Sequence, residues 1–109
     1  MVDELQVGPL SVTVKHSCIR RDLFDIRLGR AFPRGIRELL APRGVVRGGD
    51  ALFTVDVSGV HQITVAVGTG RMVVMPKLAT ERADQRRAAL GLARQVAALI
   101  EGSCQPRER

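Results

Sequence analysis

Apolar and polar side chains alternate strictly between Leu10 and Ser17. An alternation with a period of two residues is typical of a strand that buries one face and exposes the other. The buried face of this strand would carry Leu10, Val12, Val14 and His16. The pattern therefore predicts a half-buried strand near the start of the chain.

Residues 22–28 fit two patterns. Phe24, Ile26 and Leu28 alternate with charged residues, as in a strand, but the spacing of Ile26 from the preceding apolar residues also fits a helix. We predict a strand, because Gly29 ends the segment.

A short helix is predicted over residues 33–42. Pro33 is tolerated in the first turn of a helix, and Pro42 cannot continue a helix that is already established. The apolar face of this helix consists of Ile36, Leu39 and Leu40. Glycines at positions 44, 48 and 49 predict a loop after it.

Two alternating segments follow, at residues 50–57 and 62–67, and residues 71–75 form a third, shorter segment. Ser58-Gly59 separates the first two, and Gly68-Thr69-Gly70 separates the last two. Short alternating segments joined by such turns are typical of antiparallel hairpins. This region therefore predicts a three-stranded antiparallel meander.

A long helix is predicted over residues 81–101. Thr80 is a suitable N-cap, acidic residues occupy the first turn, and Gly102 is a typical stop. The apolar face of this helix is wide and consists of Ala89, Leu92, Ala93, Val96, Leu99 and Ile100. Either this chain or a second protein must cover so wide a face. We expect the exposed side of the helix to bind a partner or a second copy through Leu92, Val96 and Leu99.

The predicted order of elements is ββ-α-βββ-α. This order is typical of an α+β domain in which helices pack against one face of an antiparallel sheet. We therefore predict one α+β domain at residues 1–101, with the long C-terminal helix packed across one face of the sheet. A polar tail would occupy residues 102–109.

Composition narrows the functions that such a domain can perform. The chain has 109 residues, no Trp, no Tyr and three Phe, so it offers no aromatic platform for stacking bases or sugars. No apolar run approaches the ~20 residues of a membrane span. The acidic start, Met1-Val2-Asp3-Glu4, differs from a secretory signal, and two cysteines are few for a disulfide-stapled secreted domain. These features predict a soluble cytoplasmic protein.

The net charge of +6 is concentrated in one segment, because residues 20–47 hold eight arginines against three acidic residues. Such a segment favours an anionic partner such as a nucleic acid, although it is also typical of a solvated surface. The candidate contacts are Arg34, Arg37, Arg43 and Arg47 in this segment, with Arg82 and Arg86 at the start of the last helix.

No motif predicts a catalytic, cofactor or metal site. His16, Cys18 and His61 would have to meet at one sheet edge to form a metal site or a Cys-His pair, and the spacing of a four-ligand zinc site is missing. The carboxylates are too scattered to predict an acid/base pair. Gly68-Thr69-Gly70 does not run directly into a helix, as a phosphate-binding loop does. We predict a protein that is not an enzyme and has no cofactor.

Residues 33–100 resemble a double-stranded RNA-binding domain. The similarity rests on the order helix, three strands, helix, on Ser58-Gly59-Val60-His61 in the first turn, and on Arg86-Arg87-Ala88-Ala89-Leu90 in the last helix. The sequence differs from that family in having Glu81 and Asp84 where the family has a lysine pair, and in lacking a Pro in the turn. The resemblance implies RNA binding and leaves residues 1–32 unassigned.

Two hypotheses of function follow. The first is a small non-enzymatic protein-protein interaction or adaptor domain, with homodimerisation as one form of that interaction, through the last helix or an exposed strand edge. The second is a nucleic-acid-binding protein that uses residues 20–47 and the start of the last helix. The sequence leaves open the partner, the oligomeric state and whether the arginines form one patch.

Overall fold

Seven antiparallel strands form a single sheet in the computed structural model, which describes residues 2–16, 22–77 and 81–104. In chain order the strands are β1 (Val2–Val7), β2 (Leu10–Lys15), β3 (Leu23–Arg27), β4 (Val45–Gly48), β5 (Leu52–Val57), β6 (His61–Ala66) and β7 (Arg71–Pro76). The helices are α1 (Ile36–Leu40), which continues into a 3-10 turn at Ala41–Arg43, and α2 (Arg82–Cys104). Across the sheet the strands lie in the order β1-β2-β3-β7-β6-β5-β4.

The sheet consists of two meanders. Strands β1 to β3 form the first and β4 to β7 form the second, with each strand paired to its neighbour in sequence. Among the described strands, only the antiparallel pairing of β3 with β7 joins the two meanders. Strand β7 is therefore central, with three strands on each side.

The hydrophobic core lies between one face of the sheet and the two helices. The sheet contributes Leu10, Val12, Val14, Phe24, Ile26, Phe53, Val55, Ile63, Val65, Met72 and Val74. The helices contribute Ile36, Leu40, Ala89, Leu92, Ala93, Val96, Ala97 and Ile100. Because burying one large aliphatic or aromatic side chain stabilises the fold by ~1.5–3 kcal/mol, this layer is the main source of stability.

The fold class predicted from the sequence is confirmed. The structure is α+β, with an antiparallel sheet and a long C-terminal helix packed across one face. The ambiguous segment at residues 22–28 contains β3, and the three segments at residues 50–75 form the meander β5-β6-β7. The short helix lies within the predicted residues 33–42.

The predicted order ββ-α-βββ-α is wrong in two places, because it lacks β1 and β4. Both are edge strands. Strand β1 carries the polar Asp3 in register with the buried Val14, which breaks the apolar alternation. Strand β4 has only four residues, and its Gly48 lies so close to the backbone of β5 that a Cβ atom there would contact Leu52 and Phe53. The glycine that predicted a loop instead permits close strand pairing.

The predicted end and the predicted exposed side of the last helix are also corrected. Helix α2 continues through Gly102 to Cys104, and the predicted N-cap Thr80 lies outside the described residues. Leu92 is 2% exposed and Val96 is fully buried, because the sheet of this chain covers the apolar face of α2. Leu99 is half-buried near Gly35. Leu92 and Val96 are therefore core residues rather than contacts for a partner.

Gly70 fixes the turn that leads into the central strand. Its φ of +65° lies in the left-handed region, where glycine avoids the steric penalty of other residues. Its carbonyl oxygen accepts a hydrogen bond of 2.8 Å from the Leu28 amide. A Cβ atom on Gly70 would collide with the carbonyl oxygen of Arg30. This turn can therefore hold β7 beside β3 only if position 70 has no side chain.

Gly70→Ala should lower the free energy of unfolding by about 3 kcal/mol or more, since it adds the collision with Arg30 to the cost of the left-handed backbone. Gly59→Ala is the matched control, because Gly59 also has a positive φ, +72°, but open space around its Cβ position. That variant should lose only about 1–2 kcal/mol. Urea denaturation measures both free energies of unfolding. Equal losses in the two variants would contradict the collision with the Arg30 carbonyl oxygen.

Candidate functional site

The face of the sheet opposite α2 is covered by no helix among the described residues, and we call it the open face. Its side chains form three rows across the strands, fixed by the pairing register. The middle row consists of Glu4, Thr13, Asp25, Val73, Thr64, Thr54 and Arg47. One flanking row consists of Gln6, Ser11, Arg27, Arg71, Ala66 and Leu52. The other consists of Lys15, Leu23, Met75, Gln62, Asp56 and Val45.

The large apolar side chains that are exposed in the described chain all lie on the open face. Val45 and Leu52 are each 60% exposed, and Met75 is 40% exposed. They stand among threonines and charged groups, whereas the apolar side chains on the opposite face of the sheet are buried in the core. The open face is therefore mixed in polarity and accessible.

Four side chains on this face form an ion-pair cluster, which we call the Asp25 cluster: Lys15, Asp25, Arg27 and Arg71. Arg71 donates two hydrogen bonds of 3.1 Å to the two carboxylate oxygens of Asp25, and Arg27 donates two of 3.4 and 3.1 Å. Lys15 Nζ lies 3.9 Å from Asp25 Oδ2. The Asp25 side chain is only 2% exposed, although it lies on the open face, because longer cationic side chains surround it.

The Asp25 cluster reduces the electrostatic repulsion between two arginines on neighbouring strands. Arg27 and Arg71 occupy directly opposite positions on β3 and β7, where like charges are destabilising. Asp25 lies on the same face and pairs with both guanidinium groups through paired hydrogen bonds, which are among the stronger protein interactions. Burial disfavours the ionised carboxylate, but the hydrogen bonds from Arg71 and Arg27 outweigh it and lower the pKa of Asp25 below its ordinary 3.8. The hydrogen bond from Arg71 also raises the pKa of that arginine.

A shallow depression of about 410 Å³ adjoins the Asp25 cluster. It is lined by Glu4, Ser11, Thr13, Lys15, Asp25, Arg27, Leu28 and Gly29. Three cations of the cluster surround one carboxylate, so the cluster keeps a surplus of two positive charges. No local sequence pattern predicts this site, because Arg71 is 46 residues from Asp25 and the two meet only through the pairing of β3 with β7.

The arginines predicted to contact an anion do not form one surface. Arg47 belongs to the open face. Arg37 instead lies over the Phe53 ring, 5.6 Å from its centroid, and donates a hydrogen bond of 3.4 Å to the carbonyl oxygen of Gly48. Arg43 lies close enough to the buried His61 to affect its titration. The basic side chains of β4 and of the segment before it are therefore divided between the two faces of the sheet.

The remaining predicted arginines are also dispersed. Arg34 and Arg37 line a cavity of about 830 Å³ beside α1, together with Glu38 and Asp50. Arg82 Nε lies 3.5 Å from Asp22 Oδ1, and Arg86 is half-buried on α2. Residues 20 and 21 lie outside the described residues. The described part of the segment at residues 20–47 thus divides its arginines among several surfaces.

His16 links the first edge strand to helix α2. Its Nε2 lies 3.1 Å from Asp3 Oδ2, and its Nδ1 lies 3.0 Å from Asp22 Oδ1. Asp22 in turn pairs with Arg82, and its backbone amide donates to the Gln85 side chain at 3.3 Å. The hydrogen bonds to Asp3 and Asp22 raise the pKa of His16 above its ordinary 6.5.

His16 and His61 do not meet as a metal or nucleophile site. Strands β3 and β7 separate their strands, which at about 4.8 Å per strand places the two imidazoles ~14 Å apart. His61 is 6% exposed, and burial together with the positive charge of Arg43 lowers its pKa. Cys18 lies outside the described residues. Within the described ranges, no group of three His, Cys, Asp or Glu side chains is arranged to hold a metal ion.

Comparisons with protein-family models, with curated proteins and with solved structures found no match. The resemblance of residues 33–100 to a double-stranded RNA-binding domain is also weaker in three dimensions. Strand β4 is inserted between the short helix and the three strands, and the sheet continues through β3 to seven strands. No helix in the described part of the chain is long and apolar enough to cross a membrane.

Asp25→Asn should lower the free energy of unfolding by about 1.5–3 kcal/mol, because it removes the charge between two opposed arginines. Asp50→Asn is the control, since the Asp50 side chain is 98% exposed. The folded-state pKa of Asp25 is depressed, so its contribution is complete above pH 3.8 and is lost as the pH falls through the folded pKa. Urea denaturation at pH values from about 7 to about 2 should therefore show that the unfolding free energies of wild type and Asp25→Asn become equal in acid. An unchanged difference at all pH values would contradict this role.

His16→Gln should remove a pH dependence of opposite sign. Because the folded-state pKa of His16 is raised, its stabilising effect is complete below pH 6.5 and is lost as the pH rises through the folded pKa. The difference in unfolding free energy between wild type and variant should shrink between about pH 6 and about pH 9. His61 is present in both proteins, so its own titration cancels from that difference. A constant difference would show that His16 acts without its charge.

Proposed function

We propose that this protein is a non-enzymatic protein-interaction module and that the open face is its interaction surface. The observation that carries the proposal is that exposed apolar side chains and a surplus of positive charge occur together on one uncovered sheet face. Apolar side chains set among polar and charged groups are the usual composition of a protein interface. We propose this surface instead of the last helix as the partner-binding surface, because Leu92 and Val96 are buried in the core.

The charge pattern supports a protein partner over a nucleic acid. Glu4 lies among the cations of the open face and would repel a phosphate backbone, whereas Asp56 is paired with Lys77 at 2.6 Å. A protein surface can match both signs of charge. The dispersion of Arg34, Arg37 and Arg43 away from this face also argues against one phosphate-binding stripe. Nucleic-acid binding is the competing outcome of the following experiment.

Leu52→Asp tests the open face, because it adds a charge to a side chain that is 60% exposed and makes no demand on the core. The protein purified gently from the cells that produce it should migrate as a complex larger than the 11.9 kDa chain. Leu52→Asp should weaken that complex by about tenfold or more, since complex formation would bury the new carboxylate. Size-exclusion chromatography with light scattering measures the mass and the fraction bound.

Ala98→Asp is the matched control, because it adds the same charge to an exposed position on α2. This variant should assemble like the wild type, and nuclease treatment should leave the complex intact. A monomeric wild type would contradict the proposal, and so would equal loss in both variants. A complex that nuclease dissolves would favour nucleic-acid binding instead.

A further inference from the structure

Two pairs of positions on the open face carry opposite charges at equal distances from the central strand, β7. In the middle row, Val73 on β7 has three residues on each side. The acidic Glu4 ends the row on β1, and the basic Arg47 ends it on β4. In a flanking row, Lys15 on β2 and Asp56 on β5 stand equally far from β7. These two pairs of positions thus carry opposite charges, whereas Asp25 and Arg27 on β3 stand opposite the uncharged Thr64 and Ala66 on β6.

Two copies can use this arrangement of charges if they pack open face to open face. Rotation by half a turn about an axis parallel to β7, lying above the sheet, places each strand over the strand equally far on the other side of the partner. Strand β1 then lies over β4, β2 over β5 and β3 over β6, while positions along the strands are preserved. We infer that the partner of the open face is a second copy of this chain, related by this two-fold axis; the inference rests on the proposed function.

The charged pairs across such an interface are complementary. Glu4 faces Arg47 of the partner subunit, and Lys15 faces the partner's Asp56. Within each chain Asp56 also accepts a hydrogen bond of 2.6 Å from Lys77, so this second pair shares a carboxylate that already has a cation beside it. Each pair occurs twice, as two-fold symmetry requires. Near the axis Val73 and Met75 pack against their own copies, and Met75 loses the exposure that it has in the single chain. Arg71 also lies beside its own copy, and because the Asp25 cluster of each subunit keeps a surplus of two positive charges, Asp25 reduces this repulsion only in part and the charged pairs must outweigh the rest.

The alternative two-fold axis, perpendicular to the strands, is unfavourable. It places each strand over itself, so that Glu4 faces Glu4 of the partner subunit and Arg47 faces the partner's Arg47. Like charges brought together across an interface cost affinity and select against that arrangement. The charge pattern therefore selects the axis parallel to β7.

The shape and size of the face agree with this arrangement. Two sheets with the same right-handed twist pack with their strands within about 30° of each other, as an axis parallel to the strands requires. Seven strands at ~4.8 Å span about 29 Å, and six residues span about 20 Å, so the flat footprint is on the order of 600 Å². Protruding side chains add to this area, and the total then approaches the ~800 Å² that each partner buries in a standard specific interface.

A charge exchange tests the inference on the purified chain alone. Wild type should form a dimer of two 11.9 kDa chains. Glu4→Arg would set two arginines opposite each other, and Arg47→Glu would set two glutamates opposite each other. Each single variant should raise the dimer dissociation constant by about tenfold, and the double variant Glu4→Arg with Arg47→Glu should recover to within about threefold of wild type. Sedimentation equilibrium at several protein concentrations measures these constants.

Arg94→Glu, which reverses a charge on the exposed side of α2, is the control and should leave the constant unchanged. A wild type that stays monomeric at high concentration, or a double variant no better than the single ones, would overturn the inference. If Leu52→Asp still dissolves the complex from native cells while the purified chain is monomeric, self-association fails and the proposed function stands. If that complex is also absent, both fail.

Discussion

The antiparallel pairing of β3 with β7 is the interaction on which the rest of the structure depends. It joins the two meanders of the sheet, and on each of its faces a different force acts. Towards the helices, Phe24 and Ile26 on β3 bury against Val74 and Met72 on β7. Towards solvent, the negative charge of Asp25 reduces the repulsion between two arginines that the register places opposite each other. The hydrophobic face supplies most of the free energy, and the charged face supplies a register-dependent match.

The same pairing determines what each face of the molecule can do. Because one continuous sheet results, a single helix of 23 residues can cover the apolar side of both meanders. The segment at residues 28–35 that follows β3 and the turn at residues 67–70 between β6 and β7 meet beside this pairing, through the hydrogen bond from the Leu28 amide to the Gly70 carbonyl oxygen. With its apolar side satisfied by α2, the sheet presents an uninterrupted second face whose charges are ordered by strand position. The open face that we propose as the interaction surface thus results from joining two meanders into one sheet.

The sequence predicted the elements whose own residues carry a periodic signal. Strands β2, β5 and β6 and helix α2 each alternate or repeat over six or more residues, β7 is marked by the glycine turn before it, and all are present. The edge strands lacked this signal, since Asp3 and Gly48 are accommodated by contacts with His16 and with the backbone of β5. The Asp25 cluster and the burial of Leu92 and Val96 depend on which strands and layers meet, and that information is distributed over distant parts of the chain. Local pattern therefore predicted the fold class but assigned two buried core residues, Leu92 and Val96, to a partner contact.

The central position of β7 has a consequence for the order of folding. Strand β7 is the last strand to be synthesised, yet β3, completed more than forty residues earlier, has no other partner on that side. During synthesis the first meander therefore presents an unpaired strand edge until residue 76 has left the ribosome, and the side chains of Phe24 and Ile26 stay uncovered until α2 follows. Unpaired edges with apolar side chains promote association between incomplete chains. Contacts between segments so far apart in sequence also form slowly, because the intervening loop must close first. A nascent chain of this protein is thus most vulnerable to aggregation in the interval between completing β3 and completing β7.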